Sequence, residues 1–254
     1  MSKVNTQIEI SIVIPAFNEA ANLAATLQEI QSYLQNRKLT YEVIVVDDGS
    51  QDATCAIASS SAGLFENFTL IKNEVNRGKG YSVKKGILSA KGEVILFMDA
   101  DNSTRIDQLD KLTAAIKEGS DITMGSRRIK GASIIGSQPA FRIILGNIYI
   151  LFSQLLLGVP AKDFNCGFKL FTYHASRQLF PILTRPDWSF DSELIFLSKK
   201  LGLKFKEVPI VWTDKRNTSK VKPLEDGIKS LWALFRIRFH RYRLPYPPFA
   251  EEKS

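Results

Sequence analysis

Cysteine is almost absent from this sequence of 254 residues. Cys55 and Cys166 are too few and too isolated for a disulfide framework or a zinc site, and they read as two buried or idle thiols. Long hydrophobic runs are also missing. The most apolar stretch, Pro139–Val159, is interrupted by Arg142, Asn147, Ser153 and Gln154, which leaves it short of the roughly 20 apolar residues a spanning helix needs. There is no internal repeat and no low-complexity tract. With 44% hydrophobic and 24% charged residues, the composition suits a folded chain with one sizeable core, or one core with an appended lobe, and argues against disorder. Met1 to Gln7 is polar and lacks the apolar run of a secretory signal, so a cytoplasmic chain is expected.

Acidic charge is scarce towards the C-terminus. Between Lys215 and Arg243 stand nine Lys or Arg residues, opposed only by Glu225 and Asp226, so this stretch carries +7 of the net +8. Such a basic end beside aromatic residues implies a polyanionic partner: nucleic acid, anionic lipid headgroups or a phosphorylated substrate. Composition does not choose among them. Trp232 to Phe249 mixes Leu, Phe, Tyr and Trp with cations and reads as a segment lying in a membrane interface. Pro139–Val159 reads either as a buried core helix or as an interfacial one.

The first half alternates strand and helix signals. Ile8–Ile14 and Tyr41–Val46 are short apolar runs, and Glu19–Asn36 spaces Leu23, Leu27, Ile30 and Leu34 as one helix face. Further strands are expected at Thr69–Lys72, Glu93–Met98 and Asp121–Gly125, and helices from near Asp52, at Gly80–Ala90 and at Arg105–Glu118. Repeated βα units with continuous apolar strands predict a parallel sheet covered by helices on both faces. Ligands of such sheets sit beyond the C-terminal strand ends. The polar clusters fall there: Asn18–Glu19, Asp47–Asp48, Asn76–Lys79, Asp99–Asp101 and Ser126–Arg128.

Asp99–Ala100–Asp101 closes the apolar run Val94–Met98. Two carboxylates on alternate residues can project toward one site while Ala100 keeps the turn narrow, and hard oxygen ligands suit Mg²⁺ or Mn²⁺ with diphosphate oxygens and water. A metal there would neutralise a departing nucleoside diphosphate. An Asp-rich turn is also a common helix cap. Pro15–Ala16–Phe17–Asn18–Glu19 offers an aromatic ring and backbone groups to a nucleobase, and Asp48 can accept from a base N–H or a ribose hydroxyl. Asn76–Arg77–Gly78–Lys79–Gly80 is a basic, glycine-bearing turn suited to phosphate or simply a turn, without the spacing of a P-loop. Arg127 and Arg128 are placed to meet a diphosphate or to remain solvated.

In this order the residues resemble the family 2 glycosyltransferases of GT-A fold, from about Ile10 to Val221. Within them the chain looks like the dolichyl-phosphate (polyprenyl-phosphate) β-glucosyltransferase and mannosyltransferase group. Asp163–Lys169 is similar to that group's D-x-x-C-G-F-[KR] motif, Phe190–Leu194 to its F-D-x-E-L, and Ser219–Lys220 to its S-K. Lys169, Trp188 and Trp212–Thr213 resemble the glucosyl branch more closely, and the glycine of the mannosyl R-x-x-G-x-S-K stretch is missing from Lys215–Lys220.

The resemblance implies a GT-A (Rossmann-like) α/β fold, a mostly parallel sheet flanked by helices with C-terminal acceptor and membrane-interface helices. Residues 1–130 would form the nucleotide-sugar half of one domain and 131–254 the acceptor half. It implies donor contacts from Pro15, Ala16, Phe17, Glu19, Val46, Asp48, Asp99, Ala100, Asp101, Arg127 and Lys220. Asp99 and Asp101 would hold Mg²⁺ or Mn²⁺, with Ser103 standing where some relatives place a Gln ligand.

The implied partners are a nucleotide sugar, UDP-glucose favoured over GDP-mannose, a polyprenyl or dolichyl phosphate, and the anionic cytoplasmic face of a membrane, with no nucleic acid. Arg127, Lys220 and Asp163 are the catalytic candidates, Asp163 either orienting the acceptor and stabilising an oxocarbenium-like sugar or serving as a cap. The Gln-x-x-Arg-Trp signature of processive polysaccharide synthases is absent, which argues against polymerisation. A transferase with a soluble acceptor and a basic nucleic-acid-binding domain are the competing readings. The second leaves the carboxylates at the strand ends unexplained, because they would repel phosphate without a metal.

Overall fold

The computed structural model describes residues 8–136, 140–215 and 223–244. Lys220 and the Ser219–Lys220 pair lie outside the described residues. The chain runs β1 (Ile10–Ala16), α1 (Leu23–Gln35), β2 (Tyr41–Asp47), α2 (Thr54–Ser60), β3 (Phe68–Lys72), α3 (Lys79–Ser89), β4 (Val94–Met98), α4 (Leu109–Lys117) and β5 (Ile122–Ser126). It continues through β6 (Ser133–Ile135), α5 (Ala140–Leu157), β7 (Phe168–Thr172), α6 (Tyr173–Leu179), α7 (Phe190–Lys200), β8 (Phe205–Pro209), β9 (Val211–Thr213) and α8 (Pro223–Phe239).

The apolar runs become strands because they are buried on both faces. Every residue of β1 is buried, as are all of β2 after Tyr41 and all of β4 after Val94, as expected of central parallel strands under helices. β3, none of whose residues is fully buried, is an edge strand. Leu23, Leu27, Ile30 and Leu34 form the buried face of α1. Among the described residues one sheet has seven strands, in the order β3-β2-β1-β4-β7-β5-β8. The chain steps outward from β1 through β2 to β3, then returns to place β4 on the other side of β1. The order therefore reverses between β1 and β4, where such sheets open a crevice at their C-terminal edge.

One strand departs from the parallel pattern. β7 lies antiparallel between β4 and β5, while β8 resumes the parallel direction beside β5. The Asp163–Lys169 motif ends inside this strand, at Phe168 and Lys169. The strand's insertion brings the loop before β7 to the same edge as the ends of β4 and β5. A small parallel pair, β6 with β9, completes the sheets.

Helices α5 and α8 pack on each other, and each leaves an apolar stripe uncovered. On α5 the stripe is Phe141, Ile144, Ile148, Leu151, Phe152 and Leu155; on α8 it is Trp232, Phe235 and Phe239. Both follow the helical period. Among the described residues no helix is long and apolar enough to cross a membrane.

Candidate active site

The turn after β4 is fixed before any ligand is considered. The Thr26 hydroxyl on α1 donates to the Ala100 carbonyl at 2.8 Å, and Asn102, in the left-handed region at φ 55°, donates its amide to Glu29 at 2.7 Å. Ala100 is buried, leaving Asp99 and Asp101 partly exposed on either side. Asp101 accepts from the Ser103 amide and hydroxyl, both at 2.9 Å. Ser103 thus sits behind Asp101, orienting it. Burial, and next the charge of Asp99, push the Asp101 carboxyl above its ordinary range despite those bonds.

Gly167 sets the position of Asp99. The Asp99 amide donates to the Gly167 carbonyl at 2.9 Å, and a Cβ on Gly167 would lie 1.9 Å from Asp99 Oδ2. The carboxylate rests where any side chain would be. From the other side Lys79 Nζ pairs with Asp99 Oδ1 at 2.6 Å, its ammonium 4.4 Å from the Trp188 ring centre and 5.3 Å from that of Phe97. Burial works to lower the Lys79 pKa, but Asp99, followed by Asp191, more than offsets it and holds the amine charged.

The Asn76–Gly80 turn is held by Asp48. Asp48 is buried, and it accepts from the Arg77 amide at 3.0 Å, the Gly78 amide at 2.8 Å and the Asn73 side chain at 2.7 Å. Gly78 has φ 98°, and a Cβ there would meet the Pro186 carbonyl at 2.5 Å, so this turn requires glycine. Pro15 and Ala16 end β1 beside Val46 and Asp47 of β2. All four are buried. Phe17 and Glu19 follow, partly exposed; the Glu19 amide donates to Thr54 Oγ1 at 2.7 Å, and its carboxylate accepts from Asn22 at 2.9 Å. These residues line the mouth of the β1–β2 edge, with the Asp99 turn across β1.

Arg127 and Asp163 form one unit. The guanidinium grips the carboxylate at 2.7 Å through both Nε and Nη2, and the Arg127 amide adds a third bond at 3.0 Å. Burial works against both charges, but each holds the other ionised: Asp163 is kept below the usual carboxylate range by Arg127, and Arg127 is pushed up by Asp163. Glu207 on β8 accepts from the Lys162 and Asp163 amides at 2.9 Å each, fixing the loop. Arg127 also lies over the Trp212 ring at 5.1 Å. Arg128 points to Asn147 on α5, where Gly146 leaves it room. Tyr149, also on α5, shares a 2.7 Å hydrogen bond with Ser192 on α7. The apolar stripe of α5 is thus one helix face away from the Arg127–Asp163 pair.

The remaining motif residues act behind this front. Lys169 is fully buried, pairs with Asp191 and donates to the Cys166 carbonyl at 2.6 Å. Burial, then Asp163, pushes the Cys166 thiol up to about 12, so it stays protonated. Glu193 accepts from the Thr184 and Arg185 amides at 2.9 and 2.8 Å and from Tyr242 at 2.9 Å. It therefore holds the loop on which Gly78 and Gly80 pack. Sequence reasoning did not find the roles of Lys79, Gly167, Asp191, Glu193 and Glu207. The glycine motif around Gly167 carried a signal; Glu207 carried none.

Two carboxylates flanked by a hydroxyl fit a hard divalent ion, and such an ion would relieve the repulsion registered at Asp101. Among the described residues no group of three or more His, Cys, Asp or Glu is arranged to hold a metal, so the rest of a coordination shell would come from ligand oxygens and water. Comparison with known proteins identifies the family and the fold. The profile of glycosyl transferase family 2 matches residues 11–180. The dolichyl-phosphate β-glucosyltransferase of Dictyostelium discoideum is 34% identical over 249 residues, covering 93% of this chain and 76% of that protein. The Drosophila melanogaster protein of the same name is 37% identical over 244 residues, covering 91% and 74%. Glucosyl-3-phosphoglycerate synthase of Mycobacterium tuberculosis, solved with UDP, superposes with a TM-score of 0.68 at 18% identity over 91% of this chain and 80% of that one. The same enzyme has been solved with Mn²⁺, UDP and glucosyl-3-phosphoglycerate. The chain belongs to glycosyl transferase family 2.

Proposed function

We propose that this protein transfers glucose from UDP-glucose to dolichyl phosphate or another polyprenyl phosphate, with inversion, giving a β-linked lipid-phosphate sugar. The likeness over nine-tenths of the chain to relatives named for that activity carries this reading.

The nucleoside enters at the β1–β2 edge, against Pro15, Ala16, Phe17, Glu19 and Val46. Asp48 serves it by fixing the Arg77–Gly78 backbone. Asp99 and Asp101, with Ser103 orienting the latter, would hold Mg²⁺ or Mn²⁺, which when bound supplies Lewis-acid neutralisation of the departing diphosphate. Arg127 presents a fixed cation to the diphosphate or to the acceptor phosphate. Asp163, ionised and gripped by Arg127, is too weak a base to take a proton; it positions that cation. A lipid phosphate, with a second pKa near ~6, is already largely a dianion at neutral pH and needs no strong base. What it needs is alignment with the anomeric carbon. Lys220, which the resemblance assigns to the same phosphates, lies outside the described residues.

The exposed stripes of α5 and α8, with Arg236 and Arg238 on α8 exposed beside them, suit a helix pair lying in the interface of an anionic leaflet. This supports peripheral attachment at the cytoplasmic face, with residues 1–130 serving the donor and 131–254 the acceptor and membrane. Incubation with a panel of nucleotide sugars, polyprenyl phosphate and Mg²⁺ or Mn²⁺, read by product mass, tests the whole reading. A hexosyl-phosphoprenol from UDP-glucose is expected. Transfer only from GDP-mannose refutes the choice of donor, and transfer only to soluble acceptors refutes the lipid.

A further inference from the structure

We propose that Arg128 binds the phosphate monoester of the acceptor, and that the apolar stripe of α5 beside it receives the first isoprene units. The proposal rests on the reading of the acceptor as a prenyl phosphate.

Charge singles this residue out. Arg127 and Asp163, held together at 2.7 Å, cancel each other, so that pair brings no net charge to meet a dianion. Arg128 is exposed, and among the described residues no carboxylate forms an ion pair with it. Its guanidinium donates instead to a neutral group, the side-chain oxygen of Asn147. Lost hydration against α5 lowers its pKa; Asp163 opposes that shift and Arg127 adds to it, so both lie within electrostatic reach. An arginine stays protonated through such a shift. Arg128 is therefore an uncompensated cation next to the Arg127–Asp163 unit.

Helix α5 is shaped to take it. Gly146 stands inside the helix, where glycine is unfavourable, and a Cβ there would lie 2.8 Å from Arg128 Nη2. The guanidinium fills the space a side chain would need. Asn147, the residue it holds, lies on the helix among Ile144, Ile148 and Leu151, all exposed. A cation and an uncovered hydrocarbon surface thus meet at one point. That juxtaposition suits an amphiphile with a phosphate at one end and a branched hydrocarbon behind it. The arginine fork grips two oxygens of a phosphate monoester in one geometry. It would hold the phosphate beside the Arg127–Asp163 unit while the chain follows α5. An anionic headgroup of the bilayer offers the same phosphate chemistry, so the test must separate the two sources.

The full chain is assayed for transfer from UDP-glucose to a short-chain, water-soluble prenyl phosphate with no membrane present. Sedimentation with vesicles of phosphatidylcholine and phosphatidylserine is measured separately. Arg128→Gln should raise KM for the soluble acceptor at least ~10-fold, the loss of a charge-assisted hydrogen bond, with UDP affinity and vesicle binding unchanged. Arg128→Lys should recover only part of that loss, because the planar fork is gone. Gly146→Ala separates binding from a merely structural role. It improves the helix and should keep or raise Tm, yet it displaces the guanidinium and should raise the same KM. An unchanged acceptor KM in Arg128→Gln overturns the proposal. So does a loss of vesicle binding in its place, which makes Arg128 a contact for bilayer headgroups, or weakened UDP affinity, which puts it on the donor side. A wild-type acceptor KM in Gly146→Ala overturns the seat on α5. The underlying reading fails separately: wild-type protein that makes no prenyl-phosphate sugar from any nucleotide sugar removes the acceptor, and this proposal with it.

Discussion

Replacing Gly167 with alanine adds one methyl group at the point where Asp99 rests on the loop before β7. The new Cβ would lie 1.9 Å from Oδ2, 2.2 Å from Cγ and 2.5 Å from Oδ1 of Asp99. Ordinary contact begins at 3.4 Å, so the carboxylate must retreat by about 1.5 Å or the loop must move with it. A shift of ~1 Å in a positioning group can cost ~10² in rate. We therefore expect kcat/KM to fall at least ~10²-fold, equivalent to about 2.7 kcal/mol. Overpacking should also cost roughly 1–3 kcal/mol of stability, a Tm loss of several degrees that leaves the protein folded at 25 °C. Gly63→Ala is the matched control. Nothing lies within 4 Å of its added Cβ and its φ is not left-handed, so activity should be unchanged and stability equal or higher by ~0.4–1 kcal/mol. Steady-state transfer from UDP-glucose to a short-chain polyprenyl phosphate, with thermal melts of both variants, makes the comparison. Wild-type kcat/KM in Gly167→Ala would refute the argument that Asp99 must occupy this seat.

Arg127→Lys should lose most activity and recover only part of what Arg127→Ala loses, because a single ammonium cannot reproduce the two-pronged grip on Asp163; kinetics at saturating donor and acceptor check this. Asp163→Asn should cost roughly 3 kcal/mol of stability at neutral pH, since it leaves Arg127 without its buried partner. The Asp163 pKa is lowered on folding, so its contribution is fully present above the unfolded value near ~4 and is lost as pH falls through the native one. The Tm gap between wild type and Asp163→Asn should therefore be constant from pH 5 to 7 and close below about pH 4; a gap that persists in acid contradicts the assignment. Leu155→Glu and Phe239→Glu, at positions 74% and 72% exposed, should leave Tm and UDP binding near wild type while reducing sedimentation with anionic liposomes and raising KM for long-chain acceptor. Unaltered liposome binding would remove the interfacial role from this face.

Local pattern was enough to determine much of this molecule. Val94–Met98 has no polar residue and can only be a buried strand, so the carboxylates of Asp99 and Asp101 had to emerge at its end. Leu23, Leu27, Ile30 and Leu34 specify the face of α1 that covers the sheet. These signals are periodic over a few residues, and any chain carrying them folds the same way locally. Tertiary structure decided what periodicity cannot encode. β7 joins β4 and β5 antiparallel, a pairing between segments some seventy residues apart for β4, and only that pairing sets Gly167 against Asp99. The Asn76–Gly80 turn reads equally as a phosphate cradle or a plain turn; only the fold ties its backbone to Asp48 and pairs its lysine with Asp99. Asp163, open between catalysis and capping in the sequence, became the anchor of Arg127 once β5 and the loop before β7 shared one edge. The apolar run of α5 was compatible with core or interface alike, because both demand the same side chains. Which stripe stays uncovered was settled by where α7 and α8 pack, with Tyr149 turned to Ser192 and Leu155 turned to solvent.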